Sequence, residues 1–366
     1  MARRGWGLGV AVVVAAVVLA ACVAPEPVNP RGSSAIGLQA GLSMDGAVFP
    51  WQDPASQQRD VEAAANTGAS WIRIGVQWNV VQAKGPSHWN WEPFDRMIRE
   101  SEKAGLKVLA VPTWTPGWAN GGRSMYTPPN NPAQFAEFAH AAAQRYKPGG
   151  SGGTHVRWWE IWNEPNNPIY WTGAPNAAAY VALLRPTYYG IKAADKSAVV
   201  VTGGMAPNGD LAAQPNNPMH PVNYLEAMYA AGAKGVFDAL GHHPYAPTSG
   251  PLVNGLGAMG WNSFLYTASL HYVMTAHGDG HKKIWGTETG VPTGSCERCQ
   301  SEATQSRWMV EQYLQWVSWD FTGPLFWHSA RDERTGSANR SENFGLLRTD
   351  WTRKQAYGTA QQLWLR

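Results

Sequence analysis

From about Ile36 to the end of the chain, short apolar runs alternate with longer stretches whose apolar residues recur every three or four positions. The first pattern is that of a buried strand and the second that of an amphipathic helix. Strands are expected at Ile36–Leu42, Trp71–Val76, Val108–Thr113, Val156–Trp162, Ala198–Thr202, Phe237–Gly241, Lys283–Gly286 and Pro324–Trp327. Helices are expected after them, at Asp60–Asn66, Glu92–Ala104, Pro132–Tyr146, Ala177–Ala194, Tyr224–Ala231, Phe264–Ala276, Glu302–Trp319 and Lys354–Leu365. Gly105 suits a helix C-cap, and Asn131 before Pro132 suits a helix start. Eight strands, each followed by a helix, imply an α/β fold closed into one (β/α)8 barrel over residues 36–366. Three connections, Thr115–Asn130, Ala206–Pro221 and Tyr245–Asn262, are long and rich in Gly, Pro and Asn. All three follow strands, so they belong at the C-terminal mouth of the barrel, where barrel enzymes build their sites.

The first 35 residues do not share this alternation. Arg3 and Arg4 precede an uncharged stretch, Gly5–Ala21, rich in Ala and Val. That is the pattern of a signal peptide, and it is short for a membrane-spanning helix. It ends in Leu19-Ala20-Ala21-Cys22, which resembles the bacterial lipobox. The resemblance implies removal of residues 1–21 and a lipid on Cys22. Residues 22–35, with Pro25, Pro27, Pro30 and Gly32, then form a tether. The protein is therefore expected in the cell envelope, lipid-anchored or released, touching a membrane only through its anchor. In an exported chain the remaining pair, Cys296 and Cys299, suits a small disulfide better than a redox or zinc site.

Charge adds an exclusion. The formal net charge is +3, and Arg3 and Arg4 supply two of those charges. With no basic run left, a nucleic acid is not expected as partner. The 20 Trp residues are unusual. Most belong in a core, but a flat apolar ring with an N–H also suits stacking on a sugar. Trp114, Trp118, Trp171 and Trp327 are expected in a cleft, and Trp308, Trp316 and Trp319 in the core.

Two strand ends carry acids. The fourth ends in Trp159-Glu160-Ile161-Trp162-Asn163-Glu164-Pro165-Asn166 and the seventh in Trp285-Gly286-Thr287-Glu288-Thr289-Gly290. Strands four and seven face each other across a barrel mouth. Two carboxylates across a cleft are what glycosidic cleavage needs, one to protonate the leaving oxygen and one to attack. Pro165 biases Glu164 toward an extended backbone. Glu160 lies deeper on the same side and reads as structural. His242 and His243 should face opposite ways, and His243 is favoured for the site.

The segment Trp162-Asn163-Glu164-Pro165-Asn166 resembles the acid/base motif of the clan A glycoside hydrolases, retaining barrel enzymes with catalytic Glu residues on strands four and seven. The resemblance covers nearly all of residues 36–366. It implies Glu164 as acid/base, Glu288 as nucleophile and Asn163 as the contact to the substrate 2-hydroxyl. Tyr245 would orient Glu288, His243 would bind substrate or the acid/base region, and Trp327 would form the platform under the sugar. Arg73 matches the clan's nucleophile-supporting Arg, although pairing with a buried carboxylate would also account for it. Trp114 to Ala119 and the Asn166–Pro175 stretch look closest to family 39-like members, with family 5 next. Several clan families carry a His at the end of strand three, where this chain has Thr113 and Trp114, which leaves the substrate open. No cofactor is expected. The absence of an H-E-x-x-H pattern also argues against a metal hydrolase. The expected partner is a polysaccharide or oligosaccharide and the expected state a monomer. A non-catalytic glycan-binding lipoprotein and a transglycosylase are the rival readings.

Overall fold

In the computed structural model the described residues are 39–44, 52–208, 217, 219–246, 250–252 and 263–365. Residues 1–35, with Cys22 and the expected tether, lie outside them, as do Ile36 and much of the loops at Ala206–Pro221 and Tyr245–Asn262. The chain runs β1 (Ala40–Ser43), α1 (Pro54–Ala65), β2 (Trp71–Gln77), α2 (Trp78–Val81), α3 (Glu92–Lys103), β3 (Lys107–Thr113), α4 (Gly117–Asn120), α5 (Pro132–Tyr146) and β4 (Trp158–Ile161). It continues through α6 (Ala177–Ala194), β5 (Val199–Thr202), α7 (Pro221–Ala230), β6 (Leu240–His242), α8 (Ser263–Ala276), β7 (Ile284–Thr289), α9 (Glu302–Ser318), β8 (Thr322–His328) and α10 (Gln355–Trp364).

The eight strands form one parallel sheet ordered β5-β4-β3-β2-β1-β8-β7-β6. Its two ends are joined by parallel bridges, Val201 to Ala239 and Met205 to His242, so the barrel is nearly closed. This is the expected (β/α)8 architecture. Local chemistry explains where helices begin: Asp53, Asn131, Asn176 and Ser301 each cap a helix by accepting from a backbone N–H of the first turn. The expected helix at Asp60–Asn66 begins earlier, at Pro54, because that capping Asp53 and Pro54 at the first position nucleate it upstream.

Tryptophan fills the barrel floor. Trp71, Leu109, Val201, Ala239, Trp285 and Phe326 form an interior cluster with Trp158 packed on it. Trp158 and Trp285 meet Trp71 edge-on at 4.5 and 5.3 Å between ring centres. Gly41 admits Phe326 to this layer, since a Cβ there would lie 2.4 Å from its ring. A second, larger cluster lies between strands and helices. The floor is thus filled by side chains, which leaves the C-terminal mouth for chemistry.

Candidate active site

Above the aromatic floor sits a buried charge network. Arg73, on β2, is fully buried. Its Nε and Nη2 donate to Glu160 at 2.6 and 3.2 Å, its Nη1 donates to Glu288 at 2.8 Å, and its Nη2 donates to Asn163 Oδ1 at 2.8 Å. Arg73 thus pairs with the buried Glu160 carboxylate and with Glu288 at the same time. Glu160 also accepts from the Gly204 backbone N–H and the Thr287 hydroxyl, at 2.8 and 3.1 Å, and points into the floor rather than the cleft.

Glu288 enters this network through an irregularity. Gly286 pairs with Leu325 and Thr289 with Trp327, so β7 carries one more residue than β8 between those pairs. The bulge breaks the two-residue alternation. Thr287 and Glu288 consequently both face the interior, while Thr289 bonds Gln312 of α9 on the helix side. Tyr245 donates its hydroxyl to the second oxygen of Glu288 at 2.8 Å.

Glu164 reaches the mouth by a different route. Trp162 and Glu164 have left-handed φ values of 71° and 47°. The expected extended backbone at Glu164 is thus corrected: the preference of a residue before proline is overridden. Such conformations cost about 1–3 kcal/mol each unless their surroundings hold them. Here the Glu164 N–H donates to Gly204 O at 3.1 Å, and the Asn166 side chain ties to the backbone of Ala206 and Met219. Asn167 donates to Glu164 Oε2 at 2.6 Å.

His243 stands between the two carboxylates, with Nδ1 at 2.9 Å from Glu164 and 3.6 Å from Glu288. Glu164, His243 and Glu288 offer atoms that all lie within 4.8 Å of one another. These atoms already share hydrogen bonds with Arg73, Tyr245 and Asn167. Burial alone would raise the Glu288 carboxyl, but the charges of His243, Arg73 and His328 and the Tyr245 hydrogen bond outweigh it and hold the pKa at about 2. Burial would lower His243, yet the Glu288 charge and the Glu164 contact raise it. His242 faces the other way, bonds Ser263 O at 3.0 Å, and is pushed down to about 4, chiefly by burial.

Because the folded pKa of Glu288 lies below the ordinary 4.5, its ionised form contributes stability that is fully present above about pH 4.5 and is lost as pH falls toward about 2. The stability gap between wild type and Glu288→Gln is therefore expected to shift against the wild type as pH drops from about 5 to about 2. Urea midpoints measured across that range check this, and a gap independent of pH would contradict it.

Gly204 makes room for His243. A Cβ on Gly204 would lie 2.2 Å from His243 Nε2 and 2.3 Å from the Thr287 hydroxyl. Gly204→Ala is expected to cost about 1–3 kcal/mol by overpacking and to displace His243 from the carboxylates. A thermal melt reads the first effect; a weakened pH dependence of any activity reads the second.

A cleft of about 880 Å³ opens over these groups. On the Glu164 side it is lined by Trp114, Tyr126 and Tyr170. Trp114 and Tyr170 stack at 5.7 Å, and Tyr126 meets both edge-on. On the Glu288 side it is lined by Tyr245, His328 and Phe344. Asn163 lines it beside both carboxylates.

Several expected positions move. Trp327 is fully buried, belongs to the cluster between strands and helices, and donates its Nε1 toward Phe344 O at 3.4 Å. The expectation of Trp327 as platform is corrected: alternation along β8 turns Phe326 and His328 inward and Trp327 outward. Trp171 is likewise corrected from cleft to core, where it packs edge-on against Trp162 and Tyr180. Trp118 does not line the cleft; its N–H bonds Gln82 O and its ring meets Trp78. Trp308, expected in the core, is largely buried but does reach the cleft wall. Cys296 and Cys299 are disulfide-bonded, with Cα atoms 5.1 Å apart, in the loop after β7. Asn167 and His328 were not singled out by the sequence. Asn167 follows the acid motif closely enough to have been considered, whereas His328 carries no signal beyond its neighbour.

A (β/α)8 barrel with two acidic side chains meeting at its mouth is an architecture shared by several glycoside hydrolase families. This chain belongs to glycosyl hydrolase family 5: the family model described as Cellulase (glycosyl hydrolase family 5) matches residues 28–324. The ranking of family 39 over family 5 is thereby revised at the level of sequence. Solved structures with the same fold come from both. A family 39 glycoside hydrolase from Bacteroides cellulosilyticus WH2 is 20% identical with a TM-score of 0.67, over 93% of this chain and 65% of that one. A monomeric beta-xylosidase from Caulobacter crescentus CB15 is 16% identical with a TM-score of 0.66, over 89% and 67%. A GH5_18 protein from Streptomyces cattleya, solved with Manb1-4GlcNAc, is 14% identical with a TM-score of 0.64, over 89% and 80%. The chain thus spans about two thirds of the length of the first two.

Proposed function

We propose that this protein is a retaining glycoside hydrolase that cleaves β-linked residues of a polysaccharide or oligosaccharide. The observation that carries the reading is the approach of the Glu164 and Glu288 oxygens to within 4.8 Å of each other. That is the close spacing of a retaining pair, about 5 Å, and it leaves no room for the water of an inverting one. Environment separates the roles. Glu288, held ionised by Arg73 and Tyr245, attacks the anomeric carbon. Glu164 gives its proton to the departing oxygen as the carbon–oxygen bond breaks. The glycosyl ester on Glu288 is then attacked by water, whose proton Glu164 takes back. Since the leaving sugar departs on the Glu164 side, the rings of Trp114, Tyr126 and Tyr170 form its stacking wall.

The test is release of new reducing ends from a panel of plant, bacterial and host glycans by a soluble form starting near Arg31. Release names the substrate. Tight binding without release favours the glycan-binding reading, and products lengthened by added sugar acceptors favour a transglycosylase. The exported, lipid-anchored location is part of this proposal and rests on the lipobox resemblance at Cys22. Cys22→Ser should move the protein from the membrane fraction to the soluble one.

A further inference from the structure

We propose that His328 is the side chain that contacts the glycone sugar, by hydrogen bonding to a hydroxyl of the ring being transferred to Glu288. This deepens the hydrolase reading and rests on it for the assignment of sides. The sugar that becomes bonded to Glu288 must lie against the Glu288 wall of the cleft, because attack requires the anomeric carbon about 3 Å from the carboxylate oxygen. Three aromatic rings that pack on one another, Tyr245, Phe344 and His328, line the cleft there. Tyr245 is committed to Glu288 through its hydroxyl. Phe344 offers no polar atom on its side chain and bridges the other two rings, 5.7 Å from Tyr245 and 5.4 Å from His328.

Of these three rings, His328 is the one whose polar edge is not committed to Glu288. It is the last residue of β8, turned inward by the alternation that turns Trp327 out. The β1–β8 register sets it opposite Ser43, which itself bonds Arg73. His328 is thus anchored next to the group that holds Glu288. It is partly exposed to the cleft. Its Nδ1 is buried without a hydrogen-bond partner among the described residues. Because Nδ1 is covered, the part of the ring exposed to the cleft is its other edge, and that edge is the one a sugar hydroxyl meets. The consequence is a glycone subsite that selects by hydrogen bonding at this position, where an indole platform would select only by shape and stacking.

The experiment measures binding and turnover separately in wild type, His328→Ala, His328→Gln and His328→Trp, with melting temperature as the folding control. Binding uses the same glycan panel and its component monosaccharides, followed by ligand-observed NMR on the Glu288→Gln background, so that it does not depend on catalysis. His328→Ala is expected to weaken binding of whichever sugar the parent binds by about 10-fold or more, and to lower kcat/KM by roughly 10- to 100-fold. His328→Gln, which keeps a donor and acceptor, is expected to recover most of the loss. His328→Trp is expected not to recover it, although it supplies the platform. Unchanged binding in folded His328→Ala, full recovery by Trp, or no sugar bound by the parent would each overturn the proposal. Absence of turnover with His328-dependent binding would instead overturn the hydrolase reading alone.

Discussion

Glu288→Gln is expected to lower release of reducing ends by on the order of 10⁴-fold or more, with glycan binding retained and the melting temperature at neutral pH lowered by loss of the stabilising charge. The amide matches the carboxylate in shape. Its oxygen can still accept from Arg73 Nη1, and its NH₂ can donate to the Tyr245 hydroxyl, so both partners at 2.8 Å stay satisfied. What is lost is the lone-pair charge that forms the bond to the anomeric carbon. A more drastic change, Glu288→Gly, would leave a cavity beside the anomeric carbon that a small anion can enter. With azide present, a substrate carrying an activated leaving group should then yield a glycosyl azide of inverted configuration. A variant retaining more than about a tenth of wild-type turnover would move the nucleophile elsewhere, since covalent catalysis has no comparable substitute.

Arg73→Met is expected to destabilise the fold by about 3–5 kcal/mol and to abolish activity with it. Arg73 is fully buried and neutralises two carboxylates at once, Glu160 at 2.6 Å and Glu288 at 2.8 Å. Methionine fills much of the volume but leaves two negative charges in a water-poor interior. A domain's whole stability is commonly only about 5–15 kcal/mol, so the loss is large. Arg73→Met combined with Glu160→Gln should recover a substantial part of the stability while remaining inactive, because Glu288 still lacks the guanidinium that holds and orients it. Urea denaturation of the single and double variants reads the coupling directly. Additive effects would mean that Arg73 and Glu160 do not share a network.

The alternation of apolar runs and helical periods was enough to determine the barrel, since eight strand–helix repeats have few other ways to bury their faces. The motif around Glu164 and the acid at Glu288 were legible for the same kind of local reason: an acid at the end of an apolar strand is conspicuous. Asn163, His243 and Tyr245 stand next to strand ends and could be reached by parity or by resemblance. Which face each side chain takes at the mouth was another matter. Strict alternation assigns Glu288 to the face opposite Thr287, and only the extra residue in β7 turns both inward. It likewise puts Trp162 in the interior, and only its left-handed backbone turns it into the outer cluster and leaves Asn163 facing Arg73. On β8 the conspicuous aromatic, Trp327, faces the helices while the inconspicuous His328 faces the cleft. Sequence alone therefore determined the barrel and the identity of its acids, because those follow from composition and period. The tertiary structure decided the lining of the site, because bulges and positive φ values are held in place by neighbours distant in the chain, such as Gly204 for Glu164 and Leu325 for Gly286.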